Sequence, residues 1–338
     1  MNGAMELPRI TIVTPSYQQA AFLELCLRSV HAQGYPALEH IVLDGGSTDG
    51  SVEVLQRWSD RLTAWSSGPD AGQSAAINKG LARATGEVFA WLNSDDELVP
   101  GALHRVAALF VAQPHLHTVT GARWRLELDG SKALLPADRP GDATGWAVRP
   151  RVNQSSTFMR TDRVRSVGGV DDRLHHVMDL ELWWQLLFRA GPQGIACVDE
   201  PLSIFRIHGA SKTNAGTAAF VRETAWLLQQ ACTEVGAVEL AAVLAIAPWR
   251  TDAARSWGLH AGQRPLVEQM AVTFLFKWFR HLHSASDLKR MKALGELVEQ
   301  GRVDVEGHAA EWAALRNELA VPGWWAHRIR RKWRSLRP

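Results

Sequence analysis

Four polar clusters in this chain of 338 residues hold side chains that could do chemistry. They are Asp44 to Asp49 ("DGGSTD"), Pro69 to Gln73 ("PDAGQ"), Asn93 to Glu97 ("NSDDE"), and His208 within "RIHGASKT". In the third cluster Asp95, Asp96 and Glu97 follow the apolar run Val88–Leu92 after only Asn93 and Ser94. Adjacent carboxylates repel one another unless a cation offsets their charge. Oxygen donors of this kind suit Mg²⁺ or Mn²⁺, which keep waters and bridge to a substrate diphosphate. Other phosphate cradles are missing from the sequence: Gly72 and Lys79 do not make a P-loop, and no GxGxxG follows the first strand. A metal-held nucleotide diphosphate is therefore predicted. A bland reading competes with it: Gly45 and Gly46 permit a turn, and Ser47, Thr48 or Asp49 caps the next helix. On that reading Asp95 and Asp96 merely favour the start of a helix near Pro100, and His208 is an ordinary surface or core histidine.

The elements that must carry these clusters alternate in type. Strand-like runs occur at 9–15, 39–46, 62–67 and from Glu87 to Ser94, and helix-like spacing at 21–33, 51–60 and 72–86, with Gly86 expected as a left-handed cap. Such alternation predicts an α/β fold, a mixed but mainly parallel Rossmann-like sheet flanked by helices. Ligands of such sheets bind beyond the carboxyl ends of the strands, where the clusters fall. Further on, "TGARWRLELDGSKALLP" predicts a hairpin turning at Asp129-Gly130, and "MDLELWWQLLFRAG" a strong helix closed by glycine. From about 215 the chain reads as helical and rich in tryptophan, with eight of the fifteen. The expected division is 1–214, itself halved at 120/121, and a helical C-terminal region 215–338.

Composition excludes several classes. With 46% hydrophobic and 21% charged residues the chain reads as globular and soluble. Cys26, Cys197 and Cys232 make no metal-binding spacing, so buried thiols in a reducing cytosol are expected. The N-terminus has no basic region leading into an apolar core, so no secretory signal is expected, and no run is long enough to span a bilayer. The net charge of +2 conceals a basic tail: "GWWAHRIRRKWRSLRP" holds six Arg or Lys, and without it 31 basic residues face 35 acidic ones. That distribution argues against nucleic acid as a partner. Trp325, Ile329, Trp333 and Leu336 recur at helical spacing among the tail's arginines. Peripheral contact with an anionic membrane and a terminal segment docked on its own domain, or a disordered one, remain as alternatives.

Residues 9 to about 213 resemble the family 2 glycosyltransferases, the inverting, nucleotide-sugar-dependent group with the GT-A fold. The resemblance is carried in order by "ITIVTPSYQQAAFLELCLRSVHAQGYPALEHIVLDGGSTDGS", "PDAGQSAAINKGLARATGEVFAWLNSDD", "NQSSTFMRTDRVRSVGGVDDRLHHVMDLELWWQLLFRAG" and "FRIHGASKT". It implies a metal-dependent hexosyltransferase using a nucleoside-diphosphate sugar, with UDP as the family-level expectation. The acceptor would be a hydroxyl of a saccharide or glycolipid in cell-surface polysaccharide synthesis, made in the cytoplasm or at the inner face of the plasma membrane. By position, Pro15, Tyr17, Asp44 and Asp70 would line the nucleoside pocket. Asp95 and Asp96 would fall on the DxD-type motif, Asp95 contacting the donor and Asp96 binding the divalent cation (Mg²⁺ or Mn²⁺). His208 would join the metal or diphosphate, and Asp179 would be the general base. Asp171 and Asp172 are the nearest rivals for the base and read as turn residues. Two departures stand out: Gly45 occupies a position where many relatives carry a second aspartate, and Ser94 sits where a further acid is common. A sugar nucleotidyltransferase would need a glycine-rich, basic loop after the first strand, which "TPSYQQAAF" is not. A non-catalytic glycan- or membrane-binding scaffold of the same fold is the remaining alternative.

Overall fold

β-branched and apolar residues with no interruption make the first strand, β1 (Ile10–Ser16), and every one of its residues is buried. The computed structural model describes residues 7–320 except 138, 140–142, 210, 213–216, 279–283 and 306. Strand β1 lies between β2 (Leu38–Asp44) and β4 (Val88–Trp91), both parallel to it, and β3 (Ala64–Ser67) extends the sheet beyond β2. The crossovers are α1 (Ala20–His31), α2 (Ser51–Trp58) and α3 (Gln73–Arg83). Helix α1 buries Leu23, Cys26, Leu27 and Val30, the stripe its spacing predicts. Helix α3 lies so close to β1 that a Cβ on Gly80 would stand 2.5 Å from a Val13 methyl. Gly86 is not the left-handed cap expected of it. Its Cβ would meet the Arg9 carbonyl at 2.8 Å, so close approach to β1, rather than φ, excludes a side chain there.

The sheet then changes character. A two-residue strand, β5 (Glu97–Leu98), and α4 (Ala102–Ala112) precede β6 (Thr118–Leu126) and β7 (Lys132–Leu135). These last two form the hairpin predicted at Gly130, whose φ is +83°. After α5 (Ala143–Val148) come β8 (Thr157–Arg160), α6 (Thr161–Ser166), α7 (Met178–Ala190) and β9 (Ile195–Arg206). The order across the sheet is β3-β2-β1-β4-β8-β6-β9-β5, with β7 on β6. Strand β8 runs antiparallel to β4 and β6, whereas β9 runs parallel to β6 and pairs with β5. Ile10, Ile12, Val88, Ala90 and Phe158 of the sheet share one core with Leu103, Val106 and Phe110 of α4.

Contacts divide the chain into two compact units, Met1–Trp146 with Pro150–Ala215, and Ala147–Arg149 with Gly216–Pro338. The second contains α8 (Thr217–Glu234), α9 (Val238–Leu244), α10 (Arg264–Lys277), α11 (Ala285–Glu299) and α12 (Ala309–Ala320). Trp226, Leu240, Val267, Leu275 and Leu294 are among its buried residues. The basic tail lies outside the described residues. Among those described, no helix is long and apolar enough to cross a membrane. Cys26 and Cys232 are buried as expected, but Cys197 is only half-buried.

Candidate active site

The loops that follow β1, β2, β3 and β4 open on one cavity of about 900 Å³, at the carboxyl ends of the parallel strands. Pro15 and Tyr17 line it from the first loop, Gly45 and Gly46 from the second, Asp70 from the third and Asn93, Ser94 and Asp95 from the fourth. Phe205, Ser211 and Lys212 arrive from β9 and the segment beyond it, and His175 from the stretch before α7. The first two loops are stitched together. Gln18, a non-glycine residue at φ +53°, donates its N–H to Ser47 Oγ (2.7 Å). A backbone held in this region at a cavity wall stores local strain that the surrounding bonds must offset.

Asp44 is not in the lining. Its buried carboxylate accepts from the N–H groups of Gly46 (3.1 Å) and Ser47 (2.8 Å), from Ser47 Oγ (2.5 Å) and from Ser67 Oγ (2.6 Å). Those four donors fill the carboxylate and make it the knot of the loop. Asp49, in the same cluster, ties two helix starts: it accepts from Ala20 N (2.9 Å), Ser51 N (3.1 Å) and Ser51 Oγ (2.6 Å). Asp70 is the exposed acid of this part of the wall. A Cβ on Gly45 would stand 3.2 Å from the Tyr17 ring and 3.5 Å from both Asp70 oxygens. An aspartate at position 45 would thus bring a like charge against Asp70, so the glycine leaves Asp70 as the one acid at that place.

At the fourth loop a turn separates the two aspartates. Asp96 N donates to the Asn93 carbonyl (3.0 Å), which leaves Asp95 on the cavity wall and Asp96 buried behind it. Asp95 Oδ2 lies 2.8 Å from His208 Nε2. Asp96 Oδ1 accepts from the Arg206 N–H (3.1 Å), while its other oxygen is buried with no partner. Burial, and then the charge of Asp95, push the Asp96 carboxyl well above the ordinary carboxylate range; the Arg206 N–H and the Arg123 and Arg206 guanidinium groups oppose the rise. Glu97 lies in β5 and forms an ion pair with Arg206. None of the three acids caps α4, whose N-cap is Gly101, so the capping reading fails. Phe22 of α1 supports the assembly, with the His208 ring 4.8 Å away and the Arg206 guanidinium 5.3 Å above its face.

Of the acids of this turn, only Asp95 lies on the cavity wall where a divalent cation would be held, with His208 bonded to it and the unpartnered Asp96 oxygen held back in the protein. Among the described residues no group of three or more His, Cys, Asp or Glu side chains converges on a metal position. One carboxylate on a cavity wall, with a histidine bonded to it, fits a Mg²⁺ or Mn²⁺ ion otherwise completed by water and diphosphate oxygens.

Asp179 opens α7 and is not in the lining. Its Oδ1 accepts from Leu180 N (2.9 Å), and burial raises its carboxyl above the ordinary range against the pull of that bond and of Arg123 and Lys212. Its rivals are occupied or exposed: Asp171 holds Arg173 through two oxygens (2.9 and 2.7 Å), and Asp172 faces solvent. Glu181 is fully buried and accepts from Gln185 Nε2 (2.9 Å). Trp183 and Trp184 are both core residues, and neither reaches the cavity.

Several participants carried no sequence signal of their own. Lys212, in "HGASKT", donates to Gln73 Oε1 (2.7 Å) and to the His175 carbonyl (2.8 Å). Among the described lining residues it alone is a lysine or arginine. Gln73 in turn donates to Asn93 Oδ1 (2.6 Å), and Gln154 donates to the Trp91 carbonyl (2.7 Å), fixing the loop that bears Asp95.

A GT-A-like sheet with an aspartate–histidine pair at its ligand edge sets the context for the comparisons. The sequence profile described as "Glycosyl transferase family 2" matches residues 11–156. An uncharacterized glycosyltransferase of Mycobacterium tuberculosis is 38% identical over 195 residues, spanning 56% of this chain and 73% of the relative. This chain belongs to glycosyl transferase family 2. Another relative, the putative teichuronic acid biosynthesis glycosyltransferase TuaG of Bacillus subtilis, is 31% identical over 117 residues, 34% of this chain and 46% of TuaG. Among solved structures, Staphylococcus aureus TarS 1–349 in complex with UDP-GlcNAc aligns with a TM-score of 0.53 at 14% identity, covering 86% of this chain and 81% of that one. The alignment takes in 49% of the longer TarS chain. The mannosyltransferase PcManGT of Pyrobaculum calidifontis, in complex with GDP-Man and Mn²⁺, aligns at 0.50 and 18% identity, covering 98% and 84%. At such identities the structural likeness establishes the fold, and this family 2 glycosyltransferase has the GT-A fold.

Proposed function

We propose that this family 2 glycosyltransferase moves a hexosyl group, with inversion, from a nucleoside-diphosphate sugar to a hydroxyl of a saccharide or lipid-linked acceptor in cell-surface polysaccharide synthesis. The Asp95–His208 pair, whose aspartate lies on the wall of a cavity that also presents Lys212, is the observation that carries this reading. It supports a site for an anionic, metal-chelating ligand, which a nucleoside diphosphate is. Relatives in teichuronic acid and O-antigen biosynthesis support the acceptor class.

Each side chain then has a task. Tyr17, Pro15 and Asp70 hold the nucleoside, while Asp44 shapes the loop from within. Asp95 and His208 hold the cation, exchanging the metal role expected of Asp96 for a structural one. The bound divalent ion would neutralise charge on the diphosphate leaving group. Lys212 adds a fixed positive charge on the same wall. During transfer the acceptor oxygen bonds to the anomeric carbon, the bond from that carbon to the phosphate oxygen breaks, and the hydroxyl proton passes to Asp179. A carboxylate with a raised pKa is the better base for that step.

The test is a donor screen that follows release of nucleoside diphosphate with Mn²⁺ or Mg²⁺, with the anomeric configuration of the product read by NMR. Acceptor-stimulated release with an inverted anomer is expected. A retained anomer sinks the single-displacement mechanism, and undiminished turnover in EDTA sinks the metal.

A further inference from the structure

Residues Pro69 to Gln73 close the third loop of the cavity and start α3. Gly72 holds φ +105°, which only glycine adopts readily, and its N–H donates to Asp70 Oδ1 (2.8 Å). That bend sets Gln73 on the cavity wall, which Asn93 and Lys212 also line. From there its amide reaches two other elements. Gln73 Nε2 donates to Asn93 Oδ1 in the loop after β4 (2.6 Å), and Gln73 Oε1 accepts from Lys212 Nζ in the segment after β9 (2.7 Å). Asn93 continues the row: its Nδ2 donates to Gln154 Oε1 (3.4 Å), and Gln154 Nε2 donates to the carbonyl of Trp91 at the end of β4 (2.7 Å).

The two ends of this row fix its direction. A main-chain carbonyl only accepts and an ammonium only donates, whereas an amide side chain can face either way. With the Trp91 carbonyl at one end, Gln154 turns its nitrogen there and its oxygen to Asn93, and Asn93 turns its oxygen to Gln73. The Gln73 oxygen is then left for the far side, where Lys212 supplies the donor. Both ends thus demand the same orientation of all three amides. The Lys212 ammonium also donates to the His175 carbonyl ahead of α7 (2.8 Å), so acceptors from two separate elements hold it. Asn93 is in addition the residue whose carbonyl accepts from Asp96 N, closing the turn that leaves Asp95 on the wall.

We propose that Gln73 is a positioning residue of this enzyme: its amide holds the Lys212 ammonium on the cavity wall, at a fixed place relative to the Asp95 turn, ready for the diphosphate of the donor. This inference rests on the proposed role of Lys212 as the cation that meets the diphosphate. Lys212 is exposed, and a lysine on its flexible four-carbon stem loses rotamer freedom when a ligand orders it. Ordering the ammonium before the ligand arrives removes that cost from binding. Gln73 is neutral, so it restrains the ammonium without cancelling its charge, as a carboxylate at position 73 would.

The experiment is a double-mutant cycle on the full chain. Calorimetry measures affinity for UDP and for GDP, each with Mn²⁺, and the nucleotide that wild type binds more tightly is the probe. The cycle compares wild type, Gln73→Leu, Lys212→Ala and the double variant. Gln73→Leu is expected to weaken binding by about 3- to 10-fold, the range for a hydrogen bond to a partly exposed charged group. In the Lys212→Ala background the same substitution should cost less than about two-fold, the scatter of independent sites. An equal loss in both backgrounds overturns the proposal, because a mere brace of the fold would give that result, and so does unchanged affinity in Gln73→Leu. If Gln73→Leu does not fold, Gln73→Ala runs through the same cycle with the same outcomes. Wild-type affinity in Lys212→Ala would strike the diphosphate role of Lys212 itself, a failure distinct from that of Gln73.

Discussion

His208 Nε2 stands 2.8 Å from Asp95 Oδ2, joining the segment after β9 to the loop after β4 across 113 residues of sequence. The pair takes one member from the parallel half of the sheet and one from the far half, so neither half alone makes the site. Both side chains are largely shielded, at 12% and 19% exposed, so a charge at the pair is screened less than at the surface.

Asp95→Asn and His208→Ala are expected to weaken Mn²⁺ affinity by at least about 10-fold each, the lower bound being what loss of a supporting group costs. Asp96→Asn should change it far less, because Asp96 faces away from the cavity. Titration of Mn²⁺ by electron paramagnetic resonance reads the three directly. A larger loss in Asp96→Asn than in Asp95→Asn would restore the assignment expected from the motif.

Lys212→Ala should weaken nucleoside diphosphate binding by about 10- to 100-fold, the worth of a charge-assisted hydrogen bond. Nucleoside binding should change little, because the proposed nucleoside site is at Tyr17 and Asp70 instead. Calorimetry with both ligands separates the effects, and equal losses for the two would place Lys212 elsewhere.

The sequence makes the parallel half legible, because each of its strands is a short apolar run closed by the polar cluster it positions. Asp44 shows the limit of that reading. Its place at a strand end marks a site loop, but whether the carboxylate points into the cavity or into its own turn depends on Ser47 and Ser67, the latter 23 residues away. Asp95 and Asp96 are neighbours in sequence, and one turn bond to Asn93 decides which of them lies on the cavity wall. The strand that holds Glu97 leaves no pattern in the sequence, because it is two residues long and exists only by pairing with β9.

Acid stability provides a prediction away from the site. His40 is buried between Thr14 Oγ1 (3.0 Å) and His31 Nε2 (3.1 Å), and burial, then the His31 charge, depress it to about 3. A folded value below the unfolded one favours the neutral ring, so its stabilising contribution is full above about pH 6.5 and is lost as pH falls toward 3. Over that interval wild type should lose about 1.4 kcal/mol per pH unit to this group. Urea unfolding of His40→Gln between pH 6.5 and 4.5 should show a slope shallower by close to one proton, whereas parallel slopes would contradict the assignment.

A lipid-linked acceptor would be served by the tail at 323–338. Truncation after residue 322 is expected to abolish co-sedimentation with vesicles containing phosphatidylglycerol while leaving turnover of a soluble acceptor intact. Equal sedimentation of the truncated and full chains removes the membrane role.

The central claim is that Asp179, at the head of α7, takes the acceptor proton. The most direct measurement is acceptor-dependent release of nucleoside diphosphate by wild type and Asp179→Asn, with donor affinity measured alongside. A fall in kcat of about 10²- to 10⁴-fold at nearly unchanged donor affinity is predicted. Turnover of the variant at the wild-type rate, with the same donor affinity, would contradict the account.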